Sequence, residues 1–224
     1  MKAIRTTIML CLILVSLISA AVITVDNKFP SIGDYTTLDD AENAANDGDT
    51  LLIYPSENSY GIWSIHKPLH ITGPGHRDVT AQFSSETSTL MGVTFSAGSE
   101  GSVLEGVIVY TTQDFYIRAS DITIRNNYIY NNSSLPAMNI GSLYYPVENI
   151  VIQQNKIITG TRSTNLSESG IIIISNASNI LFTSNIIFNT EGANGYQSSC
   201  IIFNDPESSA SFFGNVMSAR SYSI

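Results

Sequence analysis

Ile150-Val-Ile-Gln-Gln-Asn155-Lys-Ile157 is one of four stretches of this chain that share a single pattern. In each stretch, an apolar-x-apolar segment is followed by a short break, an asparagine and a second apolar segment. The other three stretches contain Asn127, Asn185 and Asn215, so the asparagines recur at intervals of 28, 30 and 30 residues. A fixed period of this length is typical of a solenoid. Because strands rather than helices fill it, the pattern predicts the coils of a β-helix.

The recurring asparagines are predicted to form a ladder inside the solenoid. The inward turn between two strands needs a residue that tolerates left-handed backbone angles, which asparagine accepts at small cost. Side-chain amides stacked in successive coils can also donate and accept hydrogen bonds along the axis, so that no buried polar group is left unpaired. In an earlier coil, Val107 takes the place of the asparagine.

The first 21 residues have the features of a secretory signal peptide. Lys2 and Arg5 precede an apolar run that ends in Ser19-Ala20-Ala21, which predicts cleavage near Ala21. The run is shorter than the roughly 20 residues needed to cross a bilayer. We therefore expect a secreted or cell-surface protein that does not span the membrane, with residues 22–224 forming a single domain.

A capping helix is predicted over residues 35–45, ahead of the regular coils. Thr37 and Asp40 have the spacing of a capping box, and Gly48 provides a stop. One face of this helix is apolar: Leu38, Ala41 and Ala45. We expect the helix to cover the open end of the first coil, where unpaired strand edges would otherwise be available to other chains.

The charge balance bears on the class of partner. The chain has 19 acidic and 10 basic residues, a formal net charge of −9. Binding of nucleic acid requires clustered Lys and Arg side chains to neutralise phosphates. The composition therefore argues against a nucleic-acid partner.

Two segments carry a family resemblance. The stretch from Gly33 to Pro55, with its helix and Gly-Asp-Thr, resembles the opening of many secreted members of the right-handed parallel β-helix, or pectin-lyase-like, superfamily; Lys67 to Gly73 resembles their next coil. The resemblance covers essentially the whole mature chain. It implies an all-β, right-handed parallel β-helix solenoid of about six to seven coils with a short N-terminal capping helix. The superfamily includes lyases, hydrolases, esterases and adhesins, so the resemblance implies no single activity.

The catalytic residues of the superfamily's hydrolases are not found here. Those enzymes use clustered aspartates, a histidine and a basic pair, whereas Asp39-Asp40 of this chain lies on the predicted helix. We therefore assign no catalytic residue and expect no cofactor. The alternative is a polysaccharide lyase or glycoside hydrolase with Arg125 or Lys156 as its base, although the sequence pairs neither with an acid. Only for this lyase alternative does the resemblance imply a cofactor, Ca²⁺ held by carboxylates.

The three histidines, His66, His70 and His76, fall within 11 residues of one another. His66 and His70 are predicted on one strand, where a separation of four residues corresponds to about 13 Å. One ion cannot bridge that distance, and no cysteine lies nearby to complete a zinc site. No metal site is predicted.

The outward positions after each asparagine suggest a binding surface. Stacking of the coils would align Tyr130, Ile158 and Phe188 in an apolar ribbon, with Tyr128 beside Lys156. Such ribbons bind sugars by ring stacking or mark a protein contact.

The candidate binding set also includes Arg125 and Gln153, which hold outward positions just before the asparagines. Alternatively, a predicted loop over residues 132–147, which contains Tyr144 and Tyr145, covers the ribbon.

Taken together, these patterns favour a secreted, non-catalytic β-helix protein. Its partner would be an extracellular polysaccharide or a cell-surface protein. The coil around Asn215 is followed by no capping element in residues 219–224. That predicts either self-association through the C-terminal edge or a chain truncated from a longer protein.

Overall fold

The computed structural model describes residues 20–75, 85–111, 115–131, 136–159, 169–189 and 198–219. Twenty strands and one helix lie in these ranges, and all pairings between the named strands are parallel. The strands form three sheets, which the chain visits in turn. The predicted all-β parallel β-helix is confirmed. The predicted leader lies outside the described residues except for Ala20 and Ala21.

Sheet 1 runs the full length of the stack. It contains, in order, β1 (Val22–Val25), β2 (Thr50–Ile53), β4 (His70–Thr72), β7 (Val103–Glu105), β10 (Thr123–Arg125), β13 (Val147–Gln153), β16 (Ala177–Thr183) and β19 (Ala210–Phe213).

Sheets 2 and 3 have six strands each. Sheet 2 contains β5 (Thr89–Leu90), β8 (Ile108–Thr111), β11 (Tyr128–Asn131), β14 (Lys156–Thr159), β17 (Ile186–Asn189) and β20 (Val216–Ala219). Sheet 3 contains β3 (Ile62–Ile65), β6 (Gly92–Phe95), β9 (Phe115–Ile117), β12 (Met138–Ile140), β15 (Ser169–Ile174) and β18 (Ser198–Phe203).

The interior of the solenoid is filled by apolar side chains in register from coil to coil. In sheet 1 the central inward column is fully buried and consists of Leu51, Ile71, Leu104, Ile124, Ile152 and Phe182. Sheet 2 contributes Val109, Ile129, Ile157 and Ile187 in the same way. Each coil therefore buries its apolar residues against the coils above and below, as the 30-residue period predicts.

Helix α1 (Leu38–Ala44) covers the N-terminal end of the stack. The N-cap hydrogen bond of the predicted capping box is present, because the Asp40 N–H donates to Thr37 Oγ1 at 3.2 Å. The Asp40 carboxylate accepts from the Thr37 hydroxyl at 2.6 Å. The predicted apolar face is buried: Leu38, Ala41 and Ala45. Among the described residues, no helix has the length and apolar character required to cross a bilayer.

The turn between sheets 1 and 2 differs from the prediction in one detail. The left-handed residue is the one before each asparagine, not the asparagine itself: Asn126, Gln154, Ser184 and Gly214 have φ between 55° and 62°. The N–H groups of the first three donate to the carbonyl of the next coil at 2.9–3.1 Å. The asparagines are therefore selected for their side chains rather than for their backbone angles.

The prediction of a loop over residues 132–147 is wrong in part. Strand β12 lies within it, and β13 begins at Val147. Residues 132–135 lie outside the described residues. The tight turn that follows β12 joins sheet 3 to sheet 1, through a bridge between Ser142 and Tyr145.

Candidate functional site

The structure brings the four recurring asparagines into one column, in which Asn127, Asn155 and Asn185 are buried and Asn215 is half-buried. The backbone N–H of Asn127 donates to Asn155 Oδ1 at 3.0 Å, and the same bond at 2.9 Å joins Asn155 to Asn185 and Asn185 to Asn215. The Nδ2 groups donate to the same oxygens at 3.1, 3.2 and 2.9 Å. The side chains thus form the hydrogen-bonded ladder whose spacing the sequence displays.

Each ladder asparagine also binds the sheet 1 strand of the preceding coil. Its Nδ2 donates at 2.7–2.9 Å to one sheet 1 carbonyl of the preceding coil. In chain order the four acceptors are the carbonyls of Leu104, Ile124, Ile152 and Phe182. Both polar atoms of each carboxamide are therefore engaged inside the solenoid. The ladder stabilises the fold and offers no ligand contact.

The candidate binding residues divide between two outer faces. Arg125 and Gln153 lie in register on sheet 1. The others lie on sheet 2: Tyr128, Tyr130, Lys156 and Phe188. The turn that carries the ladder separates the two groups, so they form two surfaces rather than one site.

On sheet 2 the residues of the predicted ribbon are in register, and the ribbon extends one coil further towards the N-terminus than the sequence pattern indicated. Tyr130 pairs with Ile158 on one side and with Tyr110 on the other, and Ile158 pairs with Phe188. We call this row the tyrosine column. Tyr110 was missed because its coil has Val107 in place of the asparagine that marks the register.

The tyrosine rings stand against one another along the solenoid axis. The Tyr110 and Tyr130 rings stack with centroids 5.4 Å apart and planes at 19°. Tyr128 lies beside Tyr130, with centroids 6.3 Å apart and planes at 7°, and the Lys156 ammonium lies 5.4 Å from the Tyr128 centroid. All three rings are half-buried. Neighbouring side chains cover much of their faces, so a ligand would meet their edges and hydroxyls.

The described part of the 136–147 segment does not lie over the tyrosine column. Tyr145 packs near Arg118, whose guanidinium carbon lies 5.1 Å from its ring and 4.1 Å from the Tyr116 ring. Tyr144 is exposed to solvent at the same corner. The prediction that Tyr144 and Tyr145 cover the ribbon is therefore wrong for these two residues.

The outer face of sheet 1 carries a charged cluster that the sequence pattern did not reveal. Glu105 Oε1 lies 2.7 Å from His70 Nε2, and Glu105 Oε2 accepts a hydrogen bond from Arg125 Nε at 2.5 Å. All three side chains are partly exposed. We call these residues the Glu105 cluster. The sequence-based statement that no acid pairs with Arg125 is wrong.

The Glu105 cluster escaped prediction because β4 and β7, which carry His70 and Glu105, come from coils without the asparagine marker. Glu105 ends β7 and is followed by Gly106-Val107, so its alignment with Arg125 could not be read from the repeat. His66 follows β3 of sheet 3, whereas His70 begins β4 of sheet 1. The prediction that the two histidines share a strand is therefore wrong. His76 lies outside the described residues.

The pKa of Glu105 reflects two opposing effects. Partial burial raises it, but the hydrogen bonds and positive charges of Arg125 and His70 outweigh burial and hold the pKa below its usual value. Because the pKa of Glu105 is lower in the folded than in the unfolded state, the ionised carboxylate stabilises the fold at pH values above its unfolded-state pKa. This stabilisation is lost as the pH falls through the folded-state pKa.

The Glu105→Gln variant should therefore be less stable than the wild type near neutral pH, by about 1 kcal/mol. The difference should shrink as the pH falls towards about 3. Urea unfolding midpoints across this range would measure it. Glu57→Gln, an exposed glutamate change, is the control and should show no such pH-dependent gap. A gap that stays constant with pH would contradict the proposed ion pairing.

Neither surface coincides with the grooves found among the described residues. One groove of about 380 Å³ lies where sheet 3 turns into sheet 1, near Glu148 and Ser178. Another, of about 550 Å³, lies beside helix α1, near Asn43 and Ser64. Within the described part of the chain, no group of three or more His, Cys, Asp or Glu side chains is arranged to hold a metal ion.

Comparisons with protein-family models, with curated proteins and with solved structures found no match to this chain. The chemistry open to the two faces therefore follows from their own side chains.

Proposed function

We propose that this protein is a non-catalytic, secreted or cell-surface module that contacts extracellular polysaccharide through the outer face of sheet 2. The observation that carries the proposal is the row of half-buried tyrosines at coil spacing, Tyr110 and Tyr130 with Tyr128 beside them. The leader-like residues 1–21 support an extracellular location. The likeness of Gly33 to Pro55 to secreted β-helix proteins supports membership of the pectin-lyase-like superfamily.

The chemistry of the tyrosine column suits hydroxyl-rich ligands. A phenol hydroxyl both donates and accepts hydrogen bonds, as sugar hydroxyls do. The edges of the tyrosine rings, and Ile158 in the same column, add apolar contact for the C–H groups of a sugar ring. Coils about 4.8 Å apart repeat these groups along the axis. An extended polymer could therefore bind by several weak contacts whose effects multiply. A cell-surface protein that carries such glycans would bind to the same outer face of sheet 2.

The Tyr130→Ala variant should bind such a polysaccharide about tenfold more weakly, because one central aromatic contact is worth about 1–1.5 kcal/mol. Affinity electrophoresis through gels that contain single neutral or acidic polysaccharides would measure the change. Tyr144→Ala is the matched control, since it removes an exposed tyrosine at a different corner. Absence of retardation by every polysaccharide, or equal weakening by the control, would overturn the proposal.

A second candidate function rests on the Glu105 cluster. A carboxylate held between a histidine and an arginine can assist proton transfer, which favours a lyase or hydrolase acting on polysaccharide at sheet 1. Incubation with the same polysaccharides, with and without Ca²⁺, would separate the two functions. Release of unsaturated or reducing-end products that is lost in Arg125→Ala would favour the enzyme, whereas absence of products would favour the binding module.

A further inference from the structure

An exposed apolar turn lies at the corner where sheet 3 turns into sheet 1. Residues 142–145 form this turn after β12, and hydrogen bonds between the backbones of Ser142 and Tyr145, at 3.0 and 3.1 Å, close it. Leu143 and Tyr144 form its tip and are 77% and 83% exposed. The turn therefore holds two large apolar side chains in solvent at one fixed point, and clustered exposed apolar side chains mark contact sites.

A groove of matching chemistry begins directly after the turn. It has a volume of about 380 Å³, and Pro146, Val147 and Ala177 supply its apolar surface. All connections from sheet 3 to sheet 1 belong to the described residues. Among these residues, the ones that line the groove do not include Leu143 or Tyr144. The corner thus carries both an apolar projection and a groove that the projection of the same chain leaves open.

Charged side chains at this corner lack ionic partners within the described part of the chain. The Arg118 guanidinium packs against the rings of Tyr116 and Tyr145, with its central carbon 4.1 and 5.1 Å from their centroids. Glu148 lines the groove and is exposed. The ion pairs between described residues include neither Arg118 nor Glu148. A fixed cation and an exposed anion are therefore available for pairing with another molecule.

These features complement one another, which identifies a second copy of the chain as the molecule that fits the corner. A two-fold axis places the same patch of two copies face to face. If the axis is perpendicular to the solenoid, the copies run antiparallel, and Arg118, on the N-terminal side of the turn, meets Glu148 on its C-terminal side. The protein has a net charge of −9, so a contact between copies is favoured where one of the few basic side chains faces an acid.

We propose that the corner that carries this turn and groove is a homodimer interface with two-fold symmetry. Leu143 and Tyr144 of each copy fill the groove of the other, and Arg118 of each copy pairs with Glu148 of the other. One turn from each copy makes a small interface, so a dissociation constant on the order of 10 micromolar is expected. In the three-sided solenoid this corner lies opposite sheet 2, so the dimer leaves the tyrosine column open. The proposal is therefore independent of polysaccharide binding.

Sedimentation velocity over a concentration series tests the interface. The wild type should pass from monomer to dimer as the concentration rises. Leu143→Glu places a charge at the tip of the turn and should weaken dimerisation at least tenfold. Ile32→Glu is the matched control, because Ile32 is 75% exposed in the segment between β1 and α1, and it should dimerise like the wild type. A wild type that stays monomeric at all concentrations, or equal weakening by the control, would overturn the proposal.

An exchange of charges tests the proposed ion pair by the same measurement. Arg118→Glu should weaken dimerisation at least tenfold, because it brings two carboxylates together at each contact. Addition of Glu148→Arg to the same chain should restore dimerisation, since each reversed charge again meets its opposite. A double variant that dimerises no better than Arg118→Glu alone would contradict this arrangement of the two copies.

Hydrogen exchange of the wild type gives a readout that needs no variant. The backbone N–H groups of Leu143 and Tyr144 donate to no carbonyl of the described residues, so they should exchange rapidly in dilute solution. At high concentration, burial in the groove of the second copy should slow their exchange. Exchange at these amides that does not change with concentration would overturn the proposal.

Discussion

Replacing Asn155 with alanine should lower the free energy of unfolding by about 3–5 kcal/mol, a large effect for a polar side chain. The Asn155 carboxamide is buried and takes part in four hydrogen bonds. Its Nδ2 donates to the Ile124 carbonyl at 2.8 Å and to Asn185 Oδ1 at 3.2 Å. Its Oδ1 accepts from the backbone N–H and the Nδ2 of Asn127, at 3.0 and 3.1 Å.

The expected loss is large because alanine leaves polar groups buried without partners. The Ile124 carbonyl and the Asn127 N–H each lose a bond, and each unsatisfied buried group costs about 1–3 kcal/mol. The small cavity left by the carboxamide adds to this cost. The effect should spread to both neighbouring coils, since the ladder bonds run between coils.

Guanidinium unfolding followed by far-UV circular dichroism would measure the change, because this signal reports on all three sheets. Asn139→Ala provides the matched control. Asn139 is a half-exposed asparagine on the outer face of β12, and its loss should change stability by less than about 0.5 kcal/mol. Equal effects of the two substitutions would contradict an internal role for Asn155.

The second large effect is expected at the capping helix. Glu42 is a buried residue of α1. Its Oε2 accepts a hydrogen bond from Trp63 Nε1 at 2.9 Å, and its Oε1 accepts one from the His66 N–H at 2.6 Å. Lys67 holds the C-terminal end of the same helix, because its ammonium donates at 2.7–3.2 Å to two helix carbonyls, those of Glu42 and Asn43, and to the carbonyl of the C-cap residue Ala45. Glu42 therefore fixes the helix to the first coil.

The Glu42→Ala variant should lose about 3 kcal/mol of stability, since the buried Trp63 Nε1–H and the partly buried His66 N–H lose their acceptor. Glu42→Gln keeps one acceptor oxygen and should fall between alanine and the wild type. Trp63 is the only tryptophan, so its emission should shift to the red in Glu42→Ala as the indole meets water.

Asn43→Ala changes the next, exposed position of the same helix and serves as the control. It should leave both the emission maximum and the stability close to the wild type. An unshifted Trp63 emission in Glu42→Ala would contradict the role assigned to Glu42 in holding the cap.

The parts of the fold that depend on repetition could be predicted from the sequence. A ladder side chain must recur once per coil, so the spacing of Asn127, Asn155 and Asn185 reports the coil length directly. The Thr37 cap of the helix could also be predicted, because Thr37 and Asp40 interact locally, three residues apart.

The parts that depend on irregular coils could not be predicted. The left-handed position before each asparagine is filled by Asn, Gln, Ser or Gly, so no residue type marks it. Strand β12 is only three residues long and lies between Pro136 and Gly141, which are typical of loops. The Glu105 cluster joins coils whose lengths differ from the regular period, so only the three-dimensional register brings its members together.

Side-chain amide hydrogen exchange of the ladder asparagines, followed by NMR, is the most direct test of the stacked column. The Nδ2 protons of Asn127, Asn155 and Asn185 should be retained far longer than that of the half-exposed Asn139, because they exchange only when the coils separate. Nδ2 protons that exchange as fast as that of Asn139 would contradict the ladder and the coil register built on it.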